Sequence, residues 1–173
     1  MAKRRLTIGG VVEIKTKRGL AYALYTHEHT EPPYWGSVIR VFEQVYSTRP
    51  TSFQQIVNGK VRLTTFVMLR RSLSHREMEL VGHVNVPDSL RRFPLFLAKG
   101  LPNPKTGRIS VWGLWDGESR RAIYELTPEL RLLPIHQIMP FSFLVDRIES
   151  DWHEGDDPPD FMPLPGVAPP KRP

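Results

Sequence analysis

Three short runs of β-branched, aromatic and aliphatic residues open the chain: Val11, Val12 and Ile14; Leu20, Tyr22 and Leu24; Val38, Ile39, Val41 and Phe42. Such residues suit a pleated, half-buried surface, so the pattern predicts an antiparallel meander over residues 9–42. Thr16-Lys17-Arg18-Gly19 is the first turn, with Gly19 taking a positive φ that a residue with a Cβ resists. On the second run Leu20, Tyr22 and Leu24 alternate with Ala21, Ala23 and Tyr25. Small residues on that second face predict that another element packs closely there, so both faces are covered. Residues Thr26 to Gly36 are polar and proline-containing and read as a loop before a strand over 37–42.

Beyond Pro50 the pattern shifts between periods. Phe53, Ile56 and Val57 make one face of a short helix with Thr51 or Ser52 at its N-cap. Residues 61–68 and 78–81 are strand-like, 70–75 are too short to assign, Asp88 begins a single helical turn, and 93–97 are extended. Ile109 to Trp115 and Ala122 to Leu126 predict a second hairpin around Asp116-Gly117. Within it Trp112 and Leu114 alternate with Gly113 and Trp115, which places one tryptophan inside and the other outside. Thr127 and Pro128 start a brief helix. The strongest helical pattern follows Pro140, where Phe141, Leu144, Val145, Ile148 and Trp152 share one face.

These elements predict an α+β fold: a strongly bent antiparallel β-sheet or partial barrel with a few short helices and a C-terminal amphipathic helix. A length of 173 residues suits one core. The expected organisation is a basic N-terminal extension over 1–8, a single domain over 9–153, and a flexible tail over 154–173, acidic and then proline-rich. Within that tail Phe161, Met162 and Leu164 are the residues able to dock. No cysteine is present, which excludes disulfides, thiolate metal sites and cysteine nucleophiles. The basic start lacks the apolar run of a signal peptide and no later stretch is long enough to span a bilayer, so a cytoplasmic protein with no membrane partner is expected.

Charge is unevenly spread. Residues 1–110 carry 18 Lys and Arg against 7 Asp and Glu, whereas 111–173 carry 6 against 11, so +11 is followed by −5. Lys15, Lys17, Arg18, Arg70 and Arg71 therefore form the basis of an alternative reading as a nucleic-acid-binding module.

Motifs for chemistry are sparse. His27-Glu28-His29 puts two imidazoles on one side of an extended segment, yet a catalytic zinc wants at least three protein ligands and the other histidines are scattered, so no metal is assigned. Glu125 with Glu129, and Asp146, Glu149 and Asp151, read as solvated carboxylates. No Gly-x-Ser-x-Gly elbow, phosphate loop or dinucleotide fingerprint occurs, and no cofactor or enzymatic activity is expected. Tyr34 and Trp35, in the polar loop with His27 and His29, are the candidate anchors for a protein partner.

The order of motifs resembles the immunity protein 26 family of bacterial polymorphic-toxin systems. It is carried by Gly10-Val11-Val12, Ala21-Tyr22, Val38-Ile39-Arg40-Val41-Phe42, Phe66, the passage from Val81-Gly82 to Val86-Pro87, Phe93-Pro94-Leu95-Phe96, Trp115-Asp116-Gly117, Leu133-Pro134 and Arg147-Ile148. The resemblance spans about residues 9–152 and implies a mostly β, non-enzymatic antitoxin that binds and blocks a cognate toxin in the producing cell. For such an antitoxin the basic first part implies either an acidic toxin surface or contact through the acidic C-terminal side.

Overall fold

The computed structural model describes residues 5–157 and 159–165. Contacts group them into two compact units, one formed by the described residues through Pro94 together with Gln137–His153, the other by Leu95–His136 and the described residues from Glu154. The composition predicts one core over 9–153, and the structure instead divides the cores between these units. Periodicity reports that a run is a strand, not which sheet it joins.

In the first unit five antiparallel strands, β1 (Gly10–Thr16), β2 (Gly19–His29), β3 (Gly36–Phe42), β4 (Val61–Val67) and β5 (Met78–His83), lie in the order β4-β3-β2-β1-β5. The sheet is open rather than a closed barrel, and with its short helices it makes the α+β class expected. The first turn falls where the sequence puts it, Thr16 pairing with Gly19 at φ 127°.

Both faces are covered. Helix α5 (Phe141–Glu149) lays Leu144 and Ile148 on Val12, Ile14, Ala21, Ala23, Ile39 and Val41, and Phe141, Val145 and Trp152 complete the face read from the sequence. Fully burying Leu144 and Ile148 contributes about 1.5–3 kcal/mol each. The short helix α2 (Leu69–Ser74) adds Leu69 on the same side. On the opposite face α1 (Phe53–Val57) and α3 (Asp88–Arg91) cover Val11, Tyr22, Leu24 and Phe42. Ser52 stands at the N-cap of α1, but its side chain makes no capping bond.

The segment Thr26–Gly36 departs from the loop reading. Strand β2 continues to His29, pairing His27 with Val38, Glu28 with Ser37 and His29 with Gly36. Polar residues are sustained there because β3 supplies the ladder and Glu28 finds side-chain donors.

The second unit is built on β6 (Phe96–Lys99), β7 (Trp112–Trp115) and β8 (Arg120–Ile123), antiparallel in that order. Helix α4 (Pro128–Arg131) starts as read, Thr127 Oγ1 accepting from the Leu130 N–H. Both tryptophans of β7 are buried, against the expectation of one inside and one outside. Trp112 joins Leu97, Ile109, Leu114 and Leu126, while Trp115 stacks on His136 at 4.1 Å with Phe96 beside them, so each face of this small sheet has its own aromatic cover.

Part of the expected flexible tail is structured. Phe161 is buried and bridges Arg108, Ile109 N–H donates to the Asp160 carbonyl, Met162 N–H donates to the Gly107 carbonyl, and Trp112 Nε1–H donates to the Pro159 carbonyl. Gly107 sits at φ 68°, and a Cβ there would lie 2.6 Å from the Met162 carbonyl oxygen. One large apolar side chain with a set of backbone bonds offsets the ordering entropy that composition alone leaves unmet. Residues 1–4, 158 and 166–173 of the expected extension and tail lie outside the described residues.

Candidate functional site

Register explains how the polar end of β2 becomes a site. Tyr25 faces α5 and pairs with Ile39, but the next partner of β3, Val38, meets His27, so Thr26 is an extra residue in a β-bulge. Without it simple alternation would send His27 and His29 toward α5. The bulge turns both imidazoles to the other face and leaves Glu28 on the α5 side. There Glu28 accepts from the Tyr25 hydroxyl and, at 2.7 Å, from Ser37 Oγ. Burial, reinforced by the bond to Glu28, pushes the Tyr25 phenol far above its usual value, so it stays a donor.

On the opposite face a set of rings gathers around Phe66 of β4. Trp35 lies 5.9 Å from it and Phe93 6.4 Å, and Phe93 in turn stands 5.3 Å from His27 and 6.4 Å from His29. His27, His29 and Trp35, proposed from sequence as partner-binding residues, are thus brought together, all partly buried. Tyr34, the fourth, is 73% exposed beside them. Two further apolar side chains emerge at the same edge: Met68, directly after β4, is 57% exposed, and Ile138, bridged to Phe66, is 41% exposed. Sequence reading missed both, along with the linking roles of Phe66 and Phe93. Met68 could have been found by continuing the alternation of β4 past Val67; Ile138 lies in an aperiodic stretch and carries no such signal.

His27 is held as a neutral ring. Its Nε2 lies 2.9 Å from the Arg91 carbonyl, which can only accept, so Nε2 carries the hydrogen and Nδ1 accepts from Thr26 Oγ1 at 3.0 Å. Burial lowers its pKa below the ordinary 6.5, and Arg40 acts in the same direction. Both nitrogens are committed to protein groups, which fits a positioning role for this ring. Among the described residues no group of three His, Asp or Glu is placed to hold a metal.

The cations of the nucleic-acid alternative do not form one surface. Lys15, Lys17 and Arg18 stand at the turn between β1 and β2, where Lys17 N–H donates to Glu149 at 2.7 Å and Arg18 donates to the Ile148 carbonyl at 3.0 Å and to Asp151 at 2.9 Å. Arg18 thereby caps the carbonyl end of α5, where positive charge is favoured, and Lys17 holds the Glu149 side chain beside it. Arg70 and Arg71 lie in α2, which begins two residues after Val67, the partner of Ser37 at the other end of the sheet. Among the described residues no helix is long and apolar enough to cross a membrane. In comparisons with known proteins, the chain matches no family model, no curated protein and no solved structure.

Proposed function

We propose that this chain is a stoichiometric protein-binding antitoxin, acting in the cytoplasm of a bacterium that produces the cognate toxin, and that it contacts the toxin through the edge formed by Tyr34, Met68 and Ile138. The motif order resembling the immunity protein 26 family supplies the class of function. The supporting structural observation is the exposure of those three apolar side chains directly beside packed rings. An exposed tyrosine, with two side-chain torsions, loses little conformational freedom on docking, a flexible methionine adapts its shape to the partner, and both are over-represented in protein contacts. Occlusion of the toxin's working surface requires no bond to be made or broken.

The test is co-expression with the toxin domain encoded by a neighbouring reading frame. Wild-type protein is expected to protect the cell and to bind the purified toxin domain. A Tyr34→Ala/Met68→Ala variant is expected to lose at least about tenfold in affinity with an unchanged melting temperature. Unchanged affinity in that variant removes this edge as the contact; absence of protection by the wild type removes the antitoxin reading.

A further inference from the structure

We infer that the partner presents an acidic protein surface, with carboxylates flanking an apolar side chain that seats between Tyr34, Met68 and Ile138. This rests on the reading of that edge as a protein-binding site and names the chemistry of what it binds.

The argument is one of charge complementarity. Three exposed guanidiniums lie close in the chain to these apolar residues: Arg70 and Arg71, two and three positions after Met68 in α2, where Arg70 also acts on the Tyr25 phenol, and Arg92, directly before Phe93. All three are exposed, and among the described residues none of their side chains pairs with a carboxylate. The neighbouring acids are already committed. Glu28 is turned to the α5 face by the Thr26 bulge and held by Tyr25 and Ser37, and Asp88 is paired with Arg91 at 3.1 Å. Glu31, in the loop before Tyr34, is exposed. A surface with this surplus of positive charge repels a basic partner and attracts an acidic one, speeding encounter and setting its register.

Nucleic acid fits the same edge less well. Strand recognition uses a track of cations together with open ring faces on which bases stack. Here Phe66 is fully buried, and Trp35 and Phe93 are partly buried. Lys15, Lys17 and Arg18 stand at the far end of the sheet, where Lys17 and Arg18 hold α5. What the edge presents to solvent is apolar side chain with arginine around it, which matches a protein contact.

A random peptide library displayed on phage and selected against the wild-type protein tests this directly. The expected peptides combine Asp or Glu with an aromatic or aliphatic residue. A selected peptide, synthesised and titrated, should bind Arg70→Glu/Arg71→Glu about tenfold more weakly than wild type at about 0.1 M salt, the gap shrinking at about 0.5 M. It should also bind Tyr34→Ala/Met68→Ala more weakly. All four positions are exposed, and melting curves confirm that both variants fold. Peptides without acidic excess, or equal binding to the charge-reversed variant with loss in Tyr34→Ala/Met68→Ala, overturn the acidic partner and leave the protein-binding edge standing. Equal binding to both variants overturns both readings. A single-stranded DNA oligomer that binds wild type and depends on Arg70 and Arg71, where no peptide does, overturns the inference in favour of nucleic acid.

Discussion

The Glu13 carboxylate, only 2% exposed, takes both ends of the Arg49 guanidinium, Oε2 from Nε at 2.8 Å and Oε1 from Nη2 at 2.9 Å. Tyr22 donates its hydroxyl to the same acid at 2.8 Å, and Glu79 takes a second contact from Arg49 at 3.1 Å. This ties the segment between β3 and α1 to the middle of the sheet. Because Arg49 is 45% exposed and Glu13 is not, the two partners are unequal. Arg49→Met leaves a buried, unpaired carboxylate and is expected to cost about 3 kcal/mol or more, whereas Glu13→Gln leaves a solvated guanidinium with Glu79 still present and is expected to cost about 1 kcal/mol. Urea denaturation at neutral pH checks the order, and equal costs would contradict this account.

His27 makes stability fall on the acid side. The unfolded ring takes a proton near 6.5, while burial holds the folded ring neutral to lower pH, so the unfolded state binds more protons and is favoured as pH drops below about 6.5. His27→Gln keeps an N–H for the Arg91 carbonyl and removes the titration. Its stability is expected to vary less than wild type between about pH 7 and pH 5. Phe93→Ala opens the ring to water, and the imidazole shifts followed by NMR should move its pKa back toward 6.5.

Asp151, just past α5 at φ 58°, accepts from Arg62 at 2.8 Å and from Arg18 at 2.9 Å. The bonds to Arg18 and then Arg62 pull its carboxyl down to about 2. Stability from these pairs is therefore complete above the ordinary value of 3.8 and is lost as pH falls toward about 2. Asn tolerates the same backbone conformation, so Asp151→Asn isolates the charge. The variant should melt below wild type at neutral pH, and the difference should close between about pH 4 and pH 2. A difference independent of pH would assign the effect to packing.

Phe161 anchors the second unit's returning segment. Phe161→Ala removes a ring that is 6% exposed and is expected to destabilise that unit by about 3–5 kcal/mol. Trypsin cleavage after Lys105 and Arg108, on the stretch that Phe161 and Met162 brace, should accelerate. An unchanged digestion rate would mean that the stretch is held without them.

Legibility followed the range of the interactions. The hairpin at Thr16–Gly19, the Thr127 cap and the apolar face of α5 are set by residues close in sequence, and all three were readable from it. The end of β2 was not, because His27, Glu28 and His29 become strand only when β3 supplies partners and a bulge chooses their faces. Trp115 was misplaced for a related reason: alternation fixes which residues oppose each other, but burial on the second face depends on His136, which lies 21 positions further on. The site was half legible. Its exposed aromatic was visible as a loop tyrosine, while the join between Trp35, Phe66 and Phe93 exists only after folding.

The connectivity of the first unit also dictates an order of events during synthesis. All five strands of its sheet have left the ribosome once His83 has, but α5, which covers Ala21, Ala23 and Ile39, begins only at Phe141. At ~5–20 residues per second the intervening stretch takes roughly 3–11 s to make. For that interval one face of the sheet waits without its helix, and the nascent chain is at its most dependent on whatever shields apolar surface in the cell.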